Sequence, residues 1–293
     1  MNKILYSRIN TLLAVLLLSA CATDGIAKRT TEAEGPVEAR ARNKLAAKNP
    51  AGLVRVGEGF ERSGNMQSAL NLYGQAMVAD STLVEAQLAY ARVLIRLGGE
   101  ERGIAMLTAL LADNPGNHKV RAELSNAYIR RGDFKAAEVF MRSILDNPET
   151  SADHLLLGGM IAEVSGDGER ARALFGRALD KAVGNPEVLK AMALSFALEG
   201  EYASAVALIQ KAMDRPSGLI SGKIALASVY ALSGQLDAAM RLARDSMELG
   251  KANERLVFYQ LLPRLTRQER AIAVMFDQVP KDALQRLTGN AAN

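Results

Sequence analysis

Between residues 50 and 253 apolar positions recur at helical spacing, in stretches of about 12 to 14 residues divided by short polar breaks. Two such stretches fill every interval of 34 residues, and glycines 64, 98, 132, 166, 200 and 234 mark the interval. Seven residues before each glycine stands a small residue: Gly57, Ala91, Ser125, Gly159, Ala193 and Ala227. Five residues after it stands another: Ala69, Gly103, Ala137, Ala171, Ala205 and Ala239. Thirteen residues after it comes a long apolar side chain: Met77, Leu111, Leu145, Leu179, Met213 and Met247. Four columns in register over six rows are an internal repeat. Each stretch is too short to be a stable helix alone in water. The glycine ends a first helix and permits the turn into a second. The two small columns fall on opposite helices of a pair and mark a close approach of backbones, and the long column fills the gap to the next pair. Since no row can bury its own apolar face, the rows must stack. First helices are predicted near 52–62, 84–97, 119–130, 152–164, 187–198 and 219–232, with a second helix after each glycine.

These residues and spacings resemble the tetratricopeptide repeat (TPR). The pattern is clearest in Leu53, Val56, Gly57, Phe60, Gly64, Ala69, Tyr73 and Ala76, and again in Leu124, Ser125, Tyr128, Gly132, Asp133, Phe134 and Ala137. The resemblance implies an all-α, right-handed α-solenoid of about six helix pairs plus a degenerate C-terminal capping pair. The chain departs from the family pattern in two ways. It has no tryptophan, and the repeat proline drifts, at Pro115, Pro148, Pro186 and Pro216. Within the second repeat Gly98 and Gly99 double the turn and Gly103 takes the usual alanine position. Each extra glycine costs roughly 0.5–1 kcal/mol relative to alanine in a helix, so this pair is expected to be the least rigid.

The glycine column breaks at Gln268. Residues 254–262 and 266–278 still read as a helix pair, separated by Pro263 and by the capping-box pattern of Thr266 and Glu269. This degenerate pair and its tail, 254–293, are expected to cover the open end of the stack, with Pro280 stopping the last helix and 289–293 frayed. The repeats occupy 50–253.

Upstream, 1–20 read as a lipoprotein signal peptide. Lys3 and Arg8 give a positive start, and residues 11–18 form an apolar run well short of the ~20 residues that span a bilayer. Leu18, Ser19, Ala20 and Cys21 resemble the bacterial lipobox, which implies lipid attachment at Cys21 after cleavage. A single acyl chain anchors only marginally at ~0.8 kcal/mol per buried methylene, whereas two or three on one residue hold firmly. Ala22, rather than aspartate, follows the cysteine, which by resemblance to the enterobacterial sorting rule implies the outer membrane, periplasmic face. Residues 21–49 then read as a lipidated tether with a short leading helix.

Composition changes the picture mainly by exclusion. The net charge is +4 over the whole chain, and falls to +2 once Lys3 and Arg8 are removed. There is no basic tract and no aromatic–basic motif, so no nucleic-acid partner is expected. Cys21 is the single cysteine, which rules out an internal disulfide. His118 and His154 read as solvated residues near helix starts, and no metal spacing, phosphate loop or nucleophile elbow is present. No cofactor, no metal and no enzymatic activity are expected.

Binding is the remaining work. In TPR stacks the first helices line the concave surface, and the resemblance carries four positions of each first helix onto this chain: ten, six, three and two before the glycine. Glu61, Ile95 and Ile129 are among these positions, and the candidates singled out from them are Glu58, Arg62, Arg92, Arg96, Asn126, Arg130, Leu156, Met160, Lys190, Leu194, Leu198 and Ile224. The first half is largely charged and the second mostly apolar, which suggests a groove with a basic and an apolar end for an extended or helical protein segment. Two simpler readings stand beside it: solvated arginines, and C-terminal helices that close over the apolar set. If the apolar end is open, glutamate at Leu194 and Leu198 abolishes capture without unfolding. Val54 and Glu58 do not match the family's carboxylate clamp.

The stretches LSFALEGEYASAVAL at 194–208, ALASVYALSGQLDAA at 225–239, LVFYQLL at 256–262 and QERA at 268–271 are similar to the TadD-type lipoproteins of the tight-adherence (Flp) pilus. That resemblance implies a pilotin-like assembly factor whose partner is an outer-membrane secretin or another pilus component. Alternatives are a pilotin of type IV pili, a periplasmic scaffold that recruits cell-wall enzymes, or an enzyme subunit completed within a complex.

Overall fold

The computed structural model describes residues 49–289. The predicted signal peptide, Cys21 and most of the tether lie outside the described residues. Six helix pairs follow one another: α1 (Pro50–Arg62) with α2 (Met66–Ala79), α3 (Val84–Arg96) with α4 (Glu100–Asp113), α5 (His118–Arg131) with α6 (Phe134–Leu145), α7 (Ala152–Val164) with α8 (Gly168–Lys181), α9 (Pro186–Leu198) with α10 (Tyr202–Met213), and α11 (Leu219–Leu232) with α12 (Leu236–Ser246). Three more helices close the chain: α13 (Leu249–Leu261), α14 (Arg267–Phe276) and α15 (Lys281–Gly289). Among the described residues there is no strand, and no helix is long and apolar enough to cross a membrane. The architecture is an α-solenoid.

The glycine column is a column of left-handed turns. Glycines 64, 98, 132, 166, 200 and 234 all have φ between 81° and 93°, a region that side chains with a Cβ rarely occupy. In the first pair Gly64 N donates to the Glu61 carbonyl at 3.0 Å and Asn65 N to the Phe60 carbonyl at 2.9 Å. This reciprocal bonding satisfies the last carbonyls of the first helix and turns the chain into the second. The same two bonds recur at every repeat glycine. Side-chain caps then start the next helix: Asn65, Asp133 and Asp167 each accept a backbone N–H of the following turn.

The small columns are buried to the last residue: Ala69, Ala137, Ala171, Ala205 and Ala239 have no exposed surface, and Ala91, Ser125, Ala193 and Ala227 at most 1%. Each residue at −7 shares its pair with a buried residue at +9, and the two are matched in size. Glycine at 57 stands opposite Tyr73 and glycine at 159 opposite Phe175; a Cβ at either would come within 2.5 Å of the ring. Where −7 is alanine or serine, +9 holds Leu107, Met141, Ile209 or Ala243. Close packing leaves no room for both partners to be large. The +13 column is less decisive than expected. Leu145 is buried and the other five are half-buried, while the residues at +12 make the fuller contact, from Ala76 to Ala212.

Gly103 has a packing reason that its sequence position does not reveal. A Cβ there would lie 2.4 Å from Ile95 and 2.9 Å from the Ala91 carbonyl, so α3 and α4 approach too closely for alanine. The glycine admits that approach rather than merely loosening the helix.

The last helices part company. Helix α13 packs on α11 and α12 and covers the end of the stack. After a 3₁₀ turn at Leu262–Arg264, the predicted capping box of Thr266 and Glu269 opens α14, which runs back to α7 and α9. Asp277, at φ 55°, ends α14 before Pro280 is reached, and α15 was not anticipated. Its apolar residues Ala283 and Leu287 join Tyr259 and Leu262 in the terminal core.

Candidate functional site

The first helices α1, α3, α5, α7, α9 and α11 form one face of the solenoid, and the site is built on it. Neighbouring first helices pack closely at every step except between α5 and α7, where the approach is looser. Phe276, at the end of α14, reaches this gap and packs on Phe134 with ring centres 5.1 Å apart. What remains is a cavity of about 400 Å³. One side is charged or polar, from Arg92, Arg96, Glu123, Asn126 and Arg130. The other is apolar, from Ile95, Ala127, Ile129, Leu157, Met160 and Phe276.

The charged side rests on one half-buried carboxylate. Glu61, at the end of α1, accepts from Arg92 Nε at 3.0 Å and Nη2 at 2.8 Å, from Arg96 Nη1 at 2.9 Å, and from the Tyr73 hydroxyl at 2.9 Å. Burial pushes the Glu61 pKa up, but the two arginines and the tyrosine outweigh it and leave the carboxyl below its ordinary range. Burial and the same bond raise the Tyr73 pKa. Arg92 also reaches Glu123 at 3.4 Å, too weakly to offset burial there, so the Glu123 pKa is raised. Arg92 is therefore spent on holding two carboxylates, while Arg62 and Arg130 have no ion-pair partner among the described residues.

The apolar end of the face is occupied by the chain itself. Ala271 and Met275 of α14 are buried in the same core as Leu194, and Leu156, Met160 and Leu198 pack against that core. Glu163, on α7, has no exposed surface. It accepts from Ser195 Oγ at 2.5 Å and from Arg267 Nη2 at 2.9 Å, and its carbonyl accepts from Arg267 Nη1 at 3.2 Å. Arg267 also pairs with Glu199 at the end of α9. A carboxylate with no water around it needs such partners, and the first turn of α14 delivers them.

Tetratricopeptide-repeat family models match residues 100–157 and 221–245. These two stretches are tetratricopeptide repeats. A TPR protein from Parabacteroides merdae ATCC 43184 superposes with TM-score 0.63 at 15% identity, covering 84% of this chain and 100% of that one. PilW, described as a widely conserved type IV pilus biogenesis factor, superposes with TM-score 0.59 at 16% identity, covering 67% of this chain and 91% of that one. At such identities the likeness is one of fold. No curated protein sequence matches. A TPR fold is typically a non-catalytic scaffold for protein interaction. Among the described residues no group of three or more His, Cys, Asp or Glu is placed to hold a metal ion.

Of the predicted groove residues, Arg92, Arg96, Asn126, Arg130 and Met160 come together around the cavity. Glu58 and Arg62 are exposed on α1, further along the same face. Leu156, Leu194 and Leu198 lie in or against the core that α14 joins. Lys190 bonds Glu187 on its own helix, and Ile224 is half-buried near the start of α11; neither lines the cavity. With Leu194 only 4% exposed, glutamate there would place a charge in the core, so the substitution tests folding rather than capture. Sequence reasoning missed Glu123, Ala127, Leu157 and Phe276. Glu123 sits nine before its glycine, outside the four columns used, and Phe276 arrives from a helix with no repeat register.

Proposed function

We propose that this TPR protein is a lipid-anchored, non-enzymatic assembly factor that holds a segment of a protein partner in the open half of its first-helix groove. The observation that carries the reading is the cavity beside Phe276, lined by Asn126 and by Arg130, which has no ion-pair partner among the described residues, together with the apolar Ile129, Leu157 and Met160. Paired apolar and polar walls of this size suit a side chain flanked by backbone or charge. The lipobox-like sequence at Cys21 supports membrane attachment, on the periplasmic face of the outer membrane. The TadD-like stretches support a pilotin-like role in assembling the secretin or other machinery of a tight-adherence pilus. The likeness of fold to PilW, a pilus biogenesis factor, is compatible with that role. Confining both partners to one membrane raises their effective concentration, so a modest groove suffices.

The test is photocrosslinking from position Asn126 in intact cells, with wild-type Cys21 and with Cys21→Ser. The expected product is a crosslink to a secretin or another pilus-machine subunit, strongly reduced by Cys21→Ser, with loss of pili and unchanged cell shape in a deletion strain. Crosslinks to cell-wall hydrolases or synthases would instead establish the scaffold reading.

A further inference from the structure

The position two before each repeat glycine reads Arg62, Arg96, Arg130, then Val164, Leu198 and Leu232. The three arginines are exposed and lie in the last turns of α1, α3 and α5. The usual reason for such residues is the helix dipole, which favours cations at a C-terminus. That reason applies equally to α7, α9 and α11, whose last turns carry no basic residue. The arginines instead follow the boundary of α14: they are present where the face is open and absent where the chain covers it. Arg96 and Arg130 line the cavity, and Arg62 continues the row one helix further out.

Resting on the protein-binding reading above, we infer that this row is a ladder for an acidic segment of the partner, bound in polyproline II conformation with a carboxylate at every third residue and an apolar side chain entering the cavity against Phe276. Packed helices lie about 8–10 Å apart, so equivalent arginines on α1, α3 and α5 repeat at about that distance. A polyproline II chain has three residues per turn and rises about 3.1 Å per residue, so every third side chain returns to one face after about 9 Å. A β-strand alternates faces, and an α-helix needs about seven residues to cover the same distance. Beyond Arg130 the next position on the same face of the peptide carries an apolar residue into the looser gap before α7, toward Met160 and Phe276.

The experiment uses the full-length chain and fluorescent ten-residue peptides of one composition, three glutamates and one leucine in a background of alanine and proline. One set spaces the glutamates by three, with the leucine at either end; the others space them by two or place them together. Fluorescence anisotropy at low salt should show one spaced-by-three peptide binding about tenfold tighter than the rest, and the preference fading as salt rises. Arg62→Gln, Arg96→Gln and Arg130→Gln combined should remove the preference while circular dichroism stays as in wild type and melting falls only slightly, since Arg92 and Tyr73 still hold Glu61 when the Arg96 bond is lost. Equal affinity for all spacings, a preference that survives the triple substitution, or equally tight binding of an oligonucleotide would each overturn the ladder. If crosslinks from Asn126 to a protein partner persist while spacing has no effect, the ladder alone fails. If neither crosslink nor peptide binding is found, the protein-binding reading fails with it.

Discussion

The first and fourth repeats solve one problem in two ways. Each has a glycine seven before its turn, an aromatic ring nine after it, and a glutamate three before it: Gly57, Tyr73 and Glu61 in one, Gly159, Phe175 and Glu163 in the other. In the first repeat the ring is a tyrosine whose hydroxyl reaches the glutamate, and the cation is Arg92 from the next repeat. In the fourth the ring is phenylalanine, Ser195 of the next repeat supplies the hydroxyl, and the position matching Arg92 is Leu194. The missing cation arrives from Arg267, 104 residues from Glu163. The difference teaches that one repeat position can serve an open surface or a covered one. Glu61 keeps some solvent and takes its cation from the next repeat, while Glu163 has no exposed surface and takes its cation from a distant helix.

The strongest way to break this comparison is to remove the distant cation. Arg267→Met leaves the buried Glu163 without its cation, and should cost about 3 kcal/mol by urea denaturation, at the lower end for such losses because Arg267 is itself 39% exposed. Adding Glu163→Met should return stability to within about 1 kcal/mol of wild type, since an apolar pair replaces an ionic one. If Arg267→Met alone were nearly neutral, α14 would not be held in the groove by this pair. A smaller effect sharpens the other side. Tyr73→Phe removes one of several donors to Glu61, and the two arginines remain; the expected loss is about 1 kcal/mol, with no rearrangement of the ring. A loss as large as that of Arg267→Met would mean that the two repeats are not built alike.

Much of this was legible in the sequence, for a physical reason. Anything enforced by the 34-residue register leaves a column: the left-handed glycines, the small residues at close backbone approaches, and the Arg96, Asn126 and Arg130 side of the cavity. Even the pairing of Glu61 with Arg92 is a step of 31 residues, within one repeat length. What was not legible lies off the register. Helix α14 could be read as a helix, from its capping box, but its docking on α7 and α9 rests on contacts between segments that share no period. Leu194 and Leu198 therefore read equally well as an open apolar end or as a covered one, and Phe276 gave no sign of facing a cavity. The packing reason for Gly103 is not legible either, because propensity values alanine over glycine wherever backbones do not touch, and here they do.

The weakest effect separates two carboxylates of the open half by pH. Glu61 has a folded pKa below its ordinary 4.5, because Arg92, Tyr73 and Arg96 together outweigh burial. Its stabilisation is complete above that ordinary value and is lost as pH falls through the folded one. Glu123 has the opposite sign. Burial raises its pKa, so its contribution is complete below the ordinary value and is lost as pH rises through the folded one. In the wild type the two slopes oppose each other around pH 4.5. Glu123→Gln should leave stability at neutral pH unchanged or slightly raised, and should steepen the fall in melting temperature between pH 5 and pH 3 by exposing the Glu61 slope, an interval set by the ordinary carboxylate pKa of about 4.3. A melting temperature lowered at neutral pH would show that Glu123 is held by Arg92 more firmly than their 3.4 Å separation implies, and that the open half relies on both carboxylates in the same way.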